Sequence, residues 1–206
     1  MITVYFDYLC PFAQRGMELA EQVAEALDLS FDWRHYSLYQ GNYKGEDGWE
    51  LWKDELVTDD EDGGKGLLPF LAGHAARHLD PGKAEAFRLE LGRAYHLQGR
   101  PYTLETILDV AKDVGLEDLE SHLQDSGLRD ALAKEHAEAA ANHVSGTPTF
   151  RFASGDQSYF RMADLPETQE DAVKLFSSYR TLLTEFPFVQ NVKRHYEVRR
   201  SVAKKA

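Results

Sequence analysis

The chain has 206 residues, enough to bury a substantial core as one domain or as one domain with a large insertion. Its apolar fraction of 43% and charged fraction of 28% are ordinary for a soluble globular protein. The formal net charge of −12 argues against nucleic acid and anionic membranes as partners, because a negative surface repels phosphate groups.

The sequence carries no sign of export or of membrane insertion. It has no segment with the basic start and apolar centre of a secretory leader, and no run of transmembrane length. The single cysteine cannot form an internal disulfide, so nothing indicates an oxidising compartment and a cytoplasmic protein is expected. Basic residues concentrate at positions 193–205, which predicts a solvated helix end or frayed tail.

The first forty residues predict a β-α-β unit. Residues 2–7 are rich in β-forming residues without clean alternation, as in a central strand buried on both faces. Pro11 suits the first position of a helix, and apolar residues at helical spacing extend that helix to residue 27. Residues 30–38 predict a second strand. Such a unit normally places two parallel strands side by side through a right-handed crossover.

The rest of the chain predicts a helical segment followed by a hairpin and a final helix. Residues 39–64 end in an acidic run that predicts a solvated loop. Helical patterns fill residues 66–143, and turn residues at 153–156 separate two strand-like runs at 147–152 and 157–162. The last helix is predicted at about 168–183. This order, β-α-β, helices, β-β-α, is similar to that of an α/β thioredoxin-like fold with a mixed sheet and a helical insertion.

The only cysteine, Cys10, stands where the first predicted strand gives way to the first helix. Unpaired N–H groups and the macrodipole at a helix N-terminus stabilise an anion, and the thiolate is the reactive form of a thiol. The alternative is an inert cysteine that acts as a small buried hydrophobe. The junction and the following proline favour thiol chemistry.

Two motifs together resemble the DsbA-like branch of the thioredoxin superfamily. They are residues 7–13 (DYLCPFA) and residues 144–149 (VSGTPT). The resemblance implies that Cys10 is the nucleophile and that Thr147 and Pro148 form a cis-proline pair facing it, with Pro11 and Phe12 also binding substrate. From position alone Pro148 reads as an ordinary trans proline, since only about 5–6% of X–Pro bonds are cis.

The resemblance covers most of the chain and implies one DsbA-like unit over residues 1–206. Its thioredoxin-like core would comprise residues 1–38 and 144–185. The helical insertion would span about 66–143, and a C-terminal extension would span 186–206.

The sequence departs from the family pattern at Ala13, where dithiol members have their resolving cysteine. Without a second sulfur, Cys10 cannot close an intramolecular disulfide or release a mixed disulfide by itself. The expected chemistry is monothiol exchange, with no bound cofactor and a low-molecular-weight thiol such as glutathione as co-substrate. Oxidation of Cys10 to a sulfenic acid, resolved by an external thiol, is equally compatible. The expected partner is a small thiol or disulfide, and a homodimer is an open option.

Two other functions stay open. Kappa-class glutathione transferases and 2-hydroxychromene-2-carboxylate isomerases share the insertion but usually have serine at the helix start, where it orients a cofactor's thiolate. A non-catalytic peptide-binding protein could use the same cleft. Three residues are candidates for supporting roles beside Cys10: Asp7 as a tuning or capping group, Ala13, and His143. His136 and His143 fall near one face of the helix before Thr147, so one of the two is a candidate base or charge partner. Trp33, Tyr36 and Phe12 are expected to supply apolar walls.

The histidines do not predict a metal site. His74 and His78 are spaced i, i+4 and would share one helix face, which suits zinc. They lack the glutamate of an H-E-x-x-H motif, and no third ligand is evident. A surface helix rich in alanine, arginine and histidine is therefore expected.

Overall fold

The computed structural model describes residues 1–45 and 47–193. Apart from Lys193, the basic cluster predicted at 193–205 lies outside the described residues, as does most of the extension predicted at 186–206. None of the helices in the described part is both long and apolar enough to cross a membrane.

A four-stranded mixed sheet forms the centre of the fold, with strand order β2-β1-β3-β4. The strands are β1 (Ile2–Phe6), β2 (Phe31–His35), β3 (Thr149–Arg151) and β4 (Gln157–Tyr159). β1 runs parallel to β2 and antiparallel to β3, and β3 and β4 form the predicted hairpin. Side chains of β1 are buried on both faces, as its lack of alternation predicts. The predicted fold class, α/β and thioredoxin-like with a mixed sheet, is confirmed.

The hairpin strands are shorter than the predicted runs at 147–152 and 157–162. The Thr147–Pro148 peptide bond delays the start of β3, and the turn at residues 153–156 ends it. The predicted loop at 39–64 contains a short helix, α2 (Leu38–Gly41), and a 3-10 helix (Leu51–Lys53). Its acidic run has no regular structure, as expected, although Asp60 and Asp62 accept backbone hydrogen bonds that shape the turn before Leu67.

Two helices lie outside the helical segment. α1 (Pro11–Ala24) connects β1 to β2, and α8 (Gln169–Glu185) follows the hairpin and packs against α1. Between β2 and β3 the chain forms the predicted series of helices. These are α3 (Leu67–Leu79), α4 (Pro81–His96), α5 (Leu104–Asp113), α6 (Leu119–His122) and α7 (Gly127–Ala141). The exact division into core and insertion stays a prediction.

The expected surface helix at residues 67–78 is instead the most enclosed helix of this segment. Every residue of α3 from Leu67 to Ala76 is buried, because α4, α5, α6 and α7 all pack against it. Its alanines and Gly73 allow this close approach, and only the end around Arg77 and His78 reaches solvent. The prediction failed because small residues in a helix suit a crowded interior as well as a surface.

Candidate active site

Cys10 is the N-cap residue of α1, with extended backbone angles (φ −88°, ψ 113°) and Pro11 at the first helical turn. The residue is 6% exposed, and its thiol donates a hydrogen bond to the carbonyl oxygen of Thr147 at 3.3 Å. The two motifs, 137 residues apart in sequence, therefore meet at one point.

The Thr147–Pro148 peptide bond is cis, as the resemblance implies. The proline is buried and its carbonyl accepts a hydrogen bond from the N–H of Phe160 at 3.0 Å. On its other side lies Gly16 of α1, where an added Cβ would come within 2.7 Å of the Pro148 Cγ. This close approach needs glycine, and it fixes the proline loop against the helix that Cys10 begins.

Asp7 holds the short loop between β1 and Cys10. Its carboxylate accepts hydrogen bonds from the N–H of Leu9 at 2.8 Å and of Leu38 at 2.7 Å. Its own carbonyl accepts one from the N–H of Cys10 at 3.1 Å. Burial raises the pKa of Asp7 to about 6, although the two backbone hydrogen bonds oppose that rise. Two roles are expected for Asp7, tuning the thiol and capping the turn. The hydrogen bonds from Leu9 and Leu38 are of the capping kind.

Two residues that the sequence did not single out hold the same loop from the helical segment. The carbonyl of Tyr8 accepts hydrogen bonds from His96 Nε2 at 2.7 Å and from the Tyr102 hydroxyl at 3.0 Å. Burial lowers the pKa of His96, so its ring is neutral at pH 7 and the nitrogen facing the carbonyl carries the proton. These contacts span 88 and 94 residues, and no local motif marks them.

The surface beside Cys10 carries an aromatic ring between two cationic groups. Pro11 is exposed and Phe12 is half-buried. The guanidinium carbon of Arg161 lies 3.9 Å from the Phe12 ring centroid, and that of Arg15 lies 5.4 Å from it. Ala13, by contrast, is fully buried, so this position faces the core.

The other residues proposed for the site differ in their surroundings. His143 follows α7, is exposed, and has the left-handed φ of 60° that ends the helix. Within residues 1–45 and 47–193, no hydrogen bond joins it to Cys10. His136 stacks on Tyr36 at 4.7 Å between ring centroids, inside the protein. Tyr36 and Trp33 are each 5% exposed and belong to the core, so neither is a cleft wall.

A cavity of about 540 Å³ borders the Cys10 loop. Its walls include Asp7 and Leu9 of that loop, and Tyr39, Tyr43 and Lys44 from the segment after β2. It therefore combines aromatic surface with a cation, next to residues that hold the cysteine. The sequence did not predict it, because its walls come from a segment that reads as a loop.

A separate buried cluster contains His74, which the sequence had paired with His78. His78 is exposed, whereas His74 faces His35 of β2 and Glu135 of α7. Burial lowers the pKa of His35 to about 4 and that of His74 to about 2, so both rings are uncharged at neutral pH. Burial alone would raise the pKa of Glu135, but hydrogen bonds from His35 and Arg77 lower it well below its ordinary value.

Comparison with known proteins finds one matching family model and several similar solved structures. A family model described as a DSBA-like thioredoxin domain matches residues 70–174. The solved cytosolic disulfide reductase DsbM from Pseudomonas aeruginosa with GSH is 19% identical, with a TM-score of 0.60 over 88% of this chain and 99% of that chain. A 2-hydroxychromene-2-carboxylate isomerase is 16% identical, with a TM-score of 0.61 over 88% and 95%.

A third structure, a probable DsbA oxidoreductase from Streptomyces coelicolor, is 14% identical, with a TM-score of 0.57 over 94% of this chain and 93% of that chain. No curated protein matches the sequence. The family model spans just over half of the chain, and the observed sheet order and helices agree with it. The chain therefore belongs to the family of DSBA-like thioredoxin domains.

Proposed function

We propose that the protein is a cytoplasmic thiol-disulfide oxidoreductase in which Cys10 alone exchanges with a small thiol, glutathione or an analogue. The observation that carries this proposal is the position of the thiol. It caps α1 and lies 3.3 Å from the Thr147 carbonyl beside the cis-proline, while Ala13 stands where a second sulfur would be needed.

The reaction would proceed by two exchanges. The Cys10 thiolate attacks a disulfide, forms a mixed disulfide with one half and expels the other half as a thiolate, which takes a proton from solvent. The thiolate of a small thiol then attacks the mixed disulfide, forms a new disulfide with the bound half and releases the Cys10 thiolate. After these two steps one half of the substrate is a free thiol and the other half is in a disulfide with the small thiol. A second small thiol reduces that disulfide by the same kind of exchange, so the electrons come from two external thiols. A cytoplasmic pool of reduced thiols would supply them.

Two surfaces support a small anionic thiol as the partner. Arg15 and Arg161 flank Phe12 next to Cys10, and guanidinium groups bind carboxylates well. The cavity beyond Asp7 and Leu9 adds aromatic walls and Lys44. Glutathione carries free carboxylates and a short peptide backbone, which suit such a surface. The cytosolic disulfide reductase DsbM, whose structure was solved with GSH, agrees with this choice.

The test is a mixed disulfide on Cys10. The native protein is incubated with oxidised glutathione, and the adduct is mapped by intact and peptide mass spectrometry. One glutathione on Cys10, removed by added reduced glutathione, is the expected result. Cys10→Ser is the control and should take up none. Modification only after denaturation would contradict the proposal.

A second candidate is a thiol-dependent isomerase or transferase, favoured by the similarity to the 2-hydroxychromene-2-carboxylate isomerase fold. In that mechanism the group at position 10 orients the sulfur of a bound thiol and need not form a disulfide. Cys10→Ser would then keep activity with added glutathione, because a hydroxyl at a helix N-terminus can still donate to a thiolate. Complete loss of activity in that variant would favour exchange.

A further inference from the structure

We propose that His35, His74 and Glu135 form a binding site for a divalent transition metal, with zinc as its first probe. The thiol chemistry of Cys10 does not use this cluster. The three residues come from separate elements, the end of β2, the middle of α3 and the middle of α7. The site would join the sheet to two helices.

The ligand atoms have the spacing that zinc requires. His35 Nδ1 lies 3.0 Å from His74 Nε2 and 3.1 Å from Glu135 Oε2, and the third separation, between His74 Nε2 and Glu135 Oε2, is 3.6 Å. A tetrahedral zinc with bonds of about 2.0–2.1 Å separates its ligands by about 3.3 Å. The three atoms thus outline one face of such a tetrahedron, and two imidazoles with one carboxylate are a common zinc set.

The three side chains are buried and held in place. Their exposed fractions are 2% for His35, 5% for His74 and 8% for Glu135. Glu135 Oε2 also accepts the backbone N–H of His35 at 2.8 Å. Rigid elements and buried ligands keep a site ordered before the metal binds.

The contacts of His35 Nδ1 are difficult to satisfy without a central cation. This nitrogen is also 3.0 Å from Arg77 Nη2, in addition to its contacts with His74 and Glu135. If Nδ1 carries a proton, that proton points toward a second donor, the N–H of Arg77. If Nδ1 carries a lone pair instead, it lies against another acceptor, the Glu135 carboxylate oxygen. A metal ion resolves the conflict, because all three ligands then direct lone pairs at one positive centre.

The other nitrogen of His35 has a suitable partner. A Cβ placed on Gly73 would lie 2.9 Å from His35 Nε2 and 2.7 Å from the Tyr8 hydroxyl oxygen, so both atoms border one point. They line a cavity of about 20 Å³, which holds about one water. In the part of the chain that the structure describes, the buried Tyr8 hydroxyl has no hydrogen-bond partner. A proton on Nε2 would serve this hydroxyl and leave Nδ1 for the metal, the arrangement usual for metal-bound histidines.

Arg77 competes with the metal for the same atoms. Its Nη2 lies 3.0 Å from His35 Nδ1 and 3.1 Å from Glu135 Oε2, which are two of the proposed ligand atoms. It also lies 3.0 Å from His74 Nδ1, the ring nitrogen that would not bind the metal. Binding therefore requires Nη2 to withdraw, which is feasible because the Arg77 side chain is 29% exposed. Its Nη1 can keep the 2.8 Å bond to Glu135 Oε1 and so orient the ligating carboxylate. Arg77 would thus lower the affinity of the site.

The test is zinc titration of the full-length protein by calorimetry, in a Cys10→Ser background so that the thiol binds no metal. We expect one zinc per chain. His74→Gln should weaken binding by at least about 100-fold, in line with the large cost of disturbing a metal's ligands. His78→Gln, one turn further along the same helix and exposed, is the matched control and should leave binding unchanged. Equal affinity in the two glutamine variants would overturn the proposal.

Two further measurements keep the test decisive if His74→Gln folds poorly. Arg77→Met should tighten zinc binding by about tenfold, because it removes a cation that contacts the ligand atoms, and changes beside metal ligands typically alter affinity by about 10–100-fold. Cobalt(II) in that variant should give the intense visible absorption of a four-coordinate ion. Weak, octahedral-type absorption, or no stoichiometric zinc in a folded Arg77→Met protein, would refute the site. Neither result depends on disulfide exchange, so this proposal can fail without the proposed function failing.

Discussion

The Cys10 loop and the His35–His74–Glu135 cluster lie at the same end of β1 and β2 but are built differently. In the loop, the polar contacts of Asp7 and Tyr8 involve backbone groups, including the N–H of Leu9 and Leu38 and the carbonyl of Tyr8. In the cluster, charged and titratable side chains bind mainly one another. Backbone contacts fix the loop that carries the thiol, whereas the cluster has its binding groups directed inward.

The largest expected effect is a loss of activity that involves the Cys10 loop and not the cluster. Cys10→Ala should abolish glutathione-dependent disulfide reduction, because the chain has no other sulfur nucleophile of this kind. Its unfolding midpoint should change little, since the substitution removes one small buried group. The measurement is reduction of a model disulfide, followed together with circular dichroism. Wild-type protein alkylated at Cys10 is a second control, and full activity in either form would contradict a role for the thiol.

Removing the charge of the cluster should affect stability most. Glu135→Gln leaves Arg77 and Arg34 without their shared carboxylate, and breaking a buried pair costs about 3–5 kcal/mol. The lower end is expected, because Arg77 is partly exposed. Urea unfolding in the presence of a chelator measures the change. Glu138 is exposed on the same helix, so the unfolding free energy of Glu138→Gln should lie within about 0.5 kcal/mol of wild type. Similar losses of unfolding free energy in both variants would show that the cluster adds no special stability.

Asp7 gives the loop a pH dependence of its own. Its pKa of about 6 in the folded protein exceeds the ordinary value of 3.8, so its charged form is disfavoured by folding. No penalty exists well below pH 3.8, where it is protonated in both states. The penalty grows as the pH rises to 6 and is complete above that, reaching about 3 kcal/mol.

Asp7→Asn removes this titration. The variant also loses one of the two backbone hydrogen bonds, because an amide nitrogen cannot accept from an N–H, and this adds a constant offset. The difference in unfolding free energy between variant and wild type should therefore move in favour of the variant between pH 4 and pH 7. Urea unfolding at several pH values measures it. A difference that stays flat over this range would mean that Asp7 ionises normally in the folded protein.

The smallest effect tests how the helical segment supports the loop. Tyr102→Phe removes the hydroxyl that donates to the Tyr8 carbonyl but keeps the ring stacked on Tyr95. His96 still donates to the same carbonyl, so the loss should be about 1 kcal/mol. Tyr95→Phe is the matched control, with an expected change below about 0.5 kcal/mol. If alkylation of Cys10 also becomes faster in Tyr102→Phe alone, the hydroxyl helps to set the loop conformation.

The sequence predicts the parts of this molecule that depend on local patterns. The strand-to-helix junction at Cys10 and the Thr-Pro motif each fall within a few residues, and family resemblance brings them together. The contacts of His96 and Tyr102 depend instead on how α4 and α5 pack against the loop. The same holds for His35 and Glu135, which are 100 residues apart and meet only because α7 packs beside β2 and α3. The spacing of His74 to His78 draws attention to His74 in the sequence, but His78 is exposed and is not part of the cluster.

Gly73 offers a way to trace the cluster through evolution. The Tyr8 hydroxyl and His35 ring leave no room there for even a methyl group, so the helix must keep glycine wherever both rings are present. Together with the next residue and with Arg77, this gives the short pattern Gly-His-x-x-Arg. Relatives that carry it along with histidine at position 35 should have inherited the whole cluster, and those that replace the glycine should have lost His35 or Tyr8 as well.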